Sequence, residues 1–481
     1  VAPPSPPTCW VPRPTRRVEP MLRLSCTSVG ALPSAPHRGR CSALPGGELV
    51  AIAVSPTEVA CWSPGAGGVA ACASVHTVCG DGQAAAGAPP PSRVCDVVCF
   101  RVPALASRGA FACMCVGFET GELRIFRADA AGRLTFLFAT RAHGSELRRL
   151  RVRGACELCV LHEAALVLVD GDSLRGVLHS CARAAADATS YSPWGPASTM
   201  PAVESLRWAL PALGGVHALG LVMDAVCCGR PPAGPFEAEA TMADARCFVL
   251  AGSGAQACLQ TVLAADEDAG GSAADLAFEA ATAVFSVVSS VTRGLFWGGR
   301  TSAELEPQPP DAQLAQPPPV SLNPVRSLAD PPRGARTLSV HPAGGWAAIA
   351  DSLGRVLLVE LPSLIVRRMW RGYRDAQCAW LVAPHADGDG ASVHLALYAP
   401  LRGLLELWTL PCGPRAAVLS VGSGGFLAGG CSTHTPLGDA SDVCAFISAE
   451  GQLHRVAAGA GGAGELGGLA SRDAPASRAS E

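Results

Sequence analysis

Hydrophobic positions in this chain fall in short runs, each closed by Gly, Pro, Asp or Ser, which is the pattern of antiparallel strands joined by turns. It is clearest between residues 336 and 422. There, runs at 337–340, 346–350, 355–361 and 365–370 stop in turn at His341-Pro342, Asp351-Ser352-Leu353-Gly354, Pro362-Ser363 and Gly372. A second quartet follows at 378–383, 393–399, 404–410 and 415–421. Gly354-Arg-Val-Leu-Leu-Val, Gly403-Leu-Leu-Glu-Leu-Trp and Gly451-Gln-Leu-His-Arg-Val occupy matching places, with an earlier copy at Gly121-Glu-Leu-Arg-Ile-Phe. The last three glycines stand 49 (403 less 354) and 48 (451 less 403) residues apart, within the range of a propeller blade. The expected fold is all-β, a β-propeller of four-stranded blades with a period of about 48 residues. A two-sheet sandwich of similar strands is the alternative.

The same grammar extends upstream, with strand patterns at 49–56, 94–102, 111–117, 123–127, 134–140, 147–153, 158–162 and 165–170, and a hairpin at 247–252 and 258–263. Two stretches break it. Asp172-Ser173 is a capping pair that opens a helix running through Ala186. Between 275 and 297, Leu276, Ala280, Val284, Val287, Val288, Val291 and Leu295 recur at steps of three and four, the apolar stripe of an inserted amphipathic helix. The expected organisation is a disordered Pro-rich N-terminus (1–45), a first part of the propeller (46–273), the helix (274–298), a Pro-rich linker (299–335), a second part of the propeller (336–456) and a disordered tail (457–481).

Composition narrows the function classes. With a formal net charge of −3 and 16% charged residues, no global field draws the 481-residue chain to nucleic acid. All 37 basic residues are arginine, which excludes a Schiff-base lysine and a Walker-type phosphate loop. The apolar runs are too short to span a membrane as a helix. The 21 cysteines are odd in number, irregularly spaced and set within apolar strands, as at Cys113, Cys115, Cys247 and Cys444. They read as small buried hydrophobes of a reducing compartment, so a cytoplasmic protein is expected.

Candidate chemistry is sparse. Cys156-Glu-Leu-Cys159 has redox or half-zinc spacing, but no second pair stands near it, so no metal or cofactor site is expected. His143-Gly-Ser145-Glu146 and Ser339-Val-His341 lack the strand–nucleophile–helix elbow of a hydrolase. Asp266-Glu-Asp268 lacks the spaced ligands of a calcium loop. The densest stretch is Arg367 to Gln377. Arginines interleaved with Trp370 and Tyr373 suit base stacking, a partner contact, or a tryptophan packed between blades with the arginines paired to nearby carboxylates. The candidate contact residues are Arg368, Trp370, Arg371, Tyr373, Arg374, Asp375 and Gln377; no catalytic residue is nominated.

A family resemblance rests on the same words. Asp351-Ser-Leu-Gly-Arg-Val-Leu-Leu-Val, Arg368-Met-Trp-Arg-Gly-Tyr-Arg-Asp-Ala-Gln, Leu397-Tyr-Ala-Pro-Leu-Arg-Gly-Leu-Leu-Glu-Leu-Trp and Gly413-Pro-Arg resemble, in order and spacing, the N-terminal domain of the regulatory subunit of the Rab-three GTPase-activating complex. Val116-Gly-Phe-Glu-Thr-Gly-Glu-Leu-Arg-Ile-Phe, Ala165-Leu-Val-Leu-Val-Asp-Gly-Asp-Ser-Leu, Pro193-Trp194-Gly195 and Gly294-Leu-Phe-Trp-Gly extend it upstream. The resemblance implies a non-catalytic scaffold whose partner is the catalytic subunit and which meets Rab GTPases indirectly. It also implies Rab-three GTP hydrolysis, nucleotide exchange on Rab eighteen, and work at endoplasmic-reticulum or vesicle membranes without spanning them. The arginine finger that such catalysis uses is expected on the companion subunit. A propeller adaptor of another trafficking or ubiquitin assembly is the alternative.

Overall fold

The computed structural model describes residues 22–31, 41–43, 49–53, 55, 57–63, 72–78, 93–105, 108–129, 133–154, 156–187, 203–210, 221–229, 246–253, 259–264, 320–330, 332–384, 391–429, 432–433 and 444–460. After β1 (Leu22–Ala31), blade 1 holds β2 (Cys41–Ala43), β3 (Val50–Ala53), β4 (Glu58–Ser63) and β5 (Cys72–Thr77). Blade 2 holds β6 (Val94–Val102), β7 (Phe111–Phe118), β8 (Glu122–Ala128) and β9 (Leu134–Arg141). Blade 3 holds β10 (Leu147–Arg153), β11 (Glu157–His162), β12 (Ala165–Val169) and, after helix α1 (Gly171–Asp187), β13 (Ser205–Ala209). Blade 4 is β14 (Leu221–Gly229), β15 (Arg246–Ser253) and β16 (Leu259–Ala264); β17 (Val320–Ser321) joins blade 3, and β18 (Asn323–Leu328) completes blade 4. Blade 5 is β19 (Ala335–Val340), β20 (Trp346–Asp351), β21 (Arg355–Glu360) and β22 (Ile365–Arg371). Blade 6 is β23 (Gln377–Pro384), β24 (Ala391–Ala399), β25 (Leu404–Thr409) and β26 (Arg415–Ser420). Blade 7 is β27 (Phe426–Ala428), β29 (Cys444–Ile447) and β30 (Gln452–Ala460), with β28 (Ser432–Thr433) lying parallel to β10.

Among the described residues these make seven sheets. The first strands β2, β6, β10, β14, β19, β23 and β27 each contact the next, and β27 contacts β2, so the sheets form a closed ring. The ring is fastened by β1, which pairs antiparallel with β30 as the outer strand of blade 7. Apolar clusters fill the spaces between successive blades from 1 to 7. The propeller reading therefore holds over the sandwich, and the two propeller parts are arcs of one ring.

The matching glycines explain the repeat. Gly121, Gly354, Gly403 and Gly451 each precede the third strand of a blade, at φ of +78°, +88°, +63° and +78°. That left-handed conformation costs glycine nothing and other residues a strained turn. At Gly121 a Cβ would also lie 2.0 Å from the His143 carbonyl oxygen. Gly121→Ala is expected to destabilise the chain by about 1–3 kcal/mol, read as a lower urea midpoint.

Three boundary readings are corrected. Strands Leu22–Ala31 and Cys41–Ala43 lie inside the stretch that composition assigned to disorder, because ring closure supplies a partner edge that local sequence does not reveal. The Pro-rich linker contains β17 and β18; β18 is an outer edge strand, the position where Pro324 can sit without breaking a central ladder. Residues 457–460, read as the start of the tail, belong to strand β30, which extends to Ala460. The helix after strand β12 is present, but its cap is Asp170, whose carboxylate accepts the Ser173 amide at 2.7 Å. The helix read at 275–297 lies outside the described residues, as do Asp266-Glu-Asp268, Pro193-Trp194-Gly195 and Gly294-Leu-Phe-Trp-Gly.

Candidate partner-docking site

Two features stand out. The first is the joint between blades 5 and 6, where the densest sequence words meet. Arg368 and Trp370, two residues apart on β22, share a face, and that face turns toward blade 6. Trp370 is buried against Trp408 at 5.7 Å, edge to face. The Arg368 guanidinium covers both rings at 4.8 and 4.6 Å and donates to the Gly413 carbonyl at 2.5 Å. Beside them, the buried Glu406 carboxylate accepts from the Tyr373 hydroxyl (2.5 Å), Trp408 Nε1 (3.1 Å) and Arg415 (3.1 Å). Three donors compensate a charge that burial alone would penalise. Burial and this carboxylate push the Tyr373 hydroxyl up to about 12, so it stays a donor.

The seven candidate residues therefore divide. Arg368, Trp370 and Tyr373 pack and bond within the joint. Gln377 ties blade 6 to blade 7, accepting the Leu427 amide at 2.6 Å and donating to the Gly425 carbonyl. Asp375, at φ +56°, pairs with Arg336 at 3.1 Å. Arg371 and Arg374 point out, exposed and without an ion pair among the described residues. Arg367 is held by Glu360.

The second feature was not legible from spacing. In β6, β10, β14 and β19 a register shift falls at the same place, before Asp96, Arg149, Asp224 and Thr337. Such bulges re-aim the next side chain, and three of these four line one central cavity of about 770 Å³ with Arg151 and Leu338. Asp224 lies against it. Arg151 is buried and makes a two-pronged bond to Asp224 (2.8 and 2.6 Å) while reaching the Leu338 carbonyl, so one guanidinium joins blades 3, 4 and 5. Arg149 stands 3.6 Å from both Asp96 and Asp224. The sequence offered these as isolated charges near strand starts. A polar residue at the third or fourth place of each of these inner strands is the signal that would have found them.

The other motifs separate into structure. Cys156 and Cys159 fall into different inter-blade clusters, on opposite sides of their sheet. Burial pushes the thiols of Cys61, Cys156 and Cys378 up to about 12, away from thiolate chemistry. Among the described residues no three His, Cys, Asp or Glu side chains converge as metal ligands, and no helix is long and apolar enough to cross a membrane.

His143 Nδ1 does meet Ser145 Oγ at 2.8 Å, but it also accepts the Ser145 amide, so the pair forms a local turn. His162, its ring tilted beside that of His143 with centroids 5.3 Å apart, donates from Nδ1 to the Ser145 carbonyl. Burial lowers His162 from 6.5 to about 4, and His341 likewise. Between those values the unfolded chain binds more protons than the folded one, so stability is full above pH 6.5 and falls as the pH drops toward 4. Urea midpoints measured from pH 7.5 to 4.5 should fall accordingly, with a shallower fall for His162→Gln.

Fold and site define a class: a closed propeller with packed blade joints, one of which leaves Arg371 and Arg374 exposed beside it. The chain belongs to the family described as the Rab3 GTPase-activating protein regulatory subunit N-terminus, which matches residues 41–427. It is 31% identical over 144 residues to the Rab3 GTPase-activating protein regulatory subunit of Caenorhabditis elegans, covering 28% of this chain and 10% of that protein. The chain thus spans about a tenth of the length of that relative. Among solved structures it is similar to Chaetomium thermophilum Raptor (TM-score 0.46, 10% identity, 91% of this chain and 29% of that one). Saccharomyces cerevisiae Sqt1 is also similar (TM-score 0.43, 10% identity, 90% and 99%).

Proposed function

We propose that this chain is the docking module of a Rab3 GTPase-activating complex, holding a catalytic companion subunit and adding no reacting group of its own. What supports this most is convergence. The separate words that carry the family resemblance, Arg368–Gln377, Glu406-Leu-Trp408 and Gly413-Pro-Arg415, close into one bonded network behind the exposed Arg371 and Arg374. A network that rigidifies a loop while leaving two cations in water suits recognition better than catalysis. In this reading the module works on the cytoplasmic side, at endoplasmic-reticulum or vesicle membranes. It reaches Rab GTPases through its companion and serves both Rab3 hydrolysis and nucleotide exchange on Rab eighteen.

The test is single-turnover GTP hydrolysis by Rab3, with a parallel exchange assay on Rab eighteen. The chain alone should leave both rates at their intrinsic values, and adding it to the catalytic subunit should change them. Stimulation by the chain alone would sink the reading, as would a catalytic subunit indifferent to it.

A further inference from the structure

Among the described residues, six of the ten exposed large hydrophobics, Leu353, Ile365, Val366, Met369, Leu401 and Val418, belong to blades 5 and 6, so described apolar surface concentrates on this arc of the ring. Two of them, Leu353 (52% exposed) and Leu401 (70%), sit at the tips of equivalent turns between second and third strands. In an up-and-down blade those turns emerge at the same end as the loop from β22 to β23, which carries Arg374. Direct contacts bind the three together. Tyr373 donates its amide to the Gly354 carbonyl, and the Arg374 backbone lies against Gly354. Arg402 donates to the Gly372 carbonyl at 2.9 Å and covers the Tyr373 ring at 5.2 Å.

The result is a braced surface bearing two leucines and three guanidinium groups, Arg371, Arg374 and Arg402. None of the three has an ion pair among the described residues; nearby Arg336 is matched by Asp375. Among the described residues, the equivalent turns of blades 2, 3 and 7 carry Glu119, Glu163 and Glu450 instead, with Glu163 paired to Arg148, so the face is basic and apolar on one arc and carries carboxylates on another. On a chain whose formal net charge is −3, such a local excess of cations is a feature of the site.

We infer that this turn face of blades 5 and 6 takes a short acidic segment of a partner protein, its carboxylates on Arg371, Arg374 and Arg402 and an apolar side chain between Leu353 and Leu401. The inference rests on the docking reading above and names its ligand chemistry. Guanidinium forks match carboxylates in pairs, and a surface already fixed loses little entropy on binding. Single-stranded nucleic acid fits less well, because it needs an open aromatic face. Here Arg402 covers Tyr373, and Arg368 covers Trp370 and Trp408.

Fluorescence anisotropy with a short labelled peptide of Glu and Leu tests this on the full chain. Binding should weaken about 10-fold for Arg371→Glu/Arg374→Glu, several-fold for Leu401→Ser, and steeply with salt. The Glu119→Gln control should bind as the wild type does. Urea midpoints confirm folding, and Arg371→Gln serves if the reversal does not fold. Equal binding of a Gln-and-Leu peptide, no effect of the arginine changes, or no binding at all would overturn the inference. So would tighter binding of oligo-uridine, or self-association of the wild type lost on charge reversal. If the peptide test fails while the catalytic subunit still alters and is altered by the chain, the segment chemistry is wrong and the docking reading survives.

Discussion

Replacing Arg151 by Met should cost about 3–5 kcal/mol of stability, because it strands the Asp224 carboxylate inside the ring. The two-pronged bond is the principal compensation for burying that charge. Arg149 remains only at 3.6 Å, and the Ala225 amide provides a single further donor. Adding Asp224→Asn to Arg151→Met should recover part of the loss, since it removes the uncompensated charge while keeping the shape. Urea unfolding of the wild type, the single and the double variant measures this. An Arg151→Met midpoint equal to the wild type would show that the guanidinium does not join blades 3, 4 and 5 as described.

Trp370→Ala should be comparably severe, at about 3–5 kcal/mol, since it empties a large volume in a packed joint and removes one of the two rings beneath Arg368. Trp370→Phe should recover most of that. The indole Nε1 has no hydrogen-bond partner, so a phenyl ring gives up volume but no bond. The same pair of variants separates architecture from recognition. If Trp370 itself touched the partner, Trp370→Phe would fold normally yet lose partner binding; the geometry predicts that it folds and binds.

Much of this was legible in order along the chain. Blades 5 and 6 are written plainly, because each strand ends at a turn residue and each third strand opens on a glycine forced to positive φ. Strands that depend on distant edges were not. Leu22–Ala31 gains its ladder only from β30, and β18 carries a proline that reads as linker until its edge position is known. The stretch 368–377 stands out in the sequence, but its division between inward Trp370 and outward Arg371 depends on which face of β22 meets blade 6. The channel charges were missed for a similar reason. A one-residue bulge decides whether Asp96 or its neighbour looks into the ring, and a bulge leaves no periodic mark.

In the proposed reading, the closed ring recognises a companion subunit through the cations it leaves in solvent. Titrating the catalytic subunit onto immobilised wild-type chain and onto Arg371→Glu/Arg374→Glu, with both shown to be equally stable in urea, examines this most directly. Saturable capture by the wild type that weakens by about 10-fold in the variant is the expected result. Equal capture by the two, or none by a folded wild type, would contradict it.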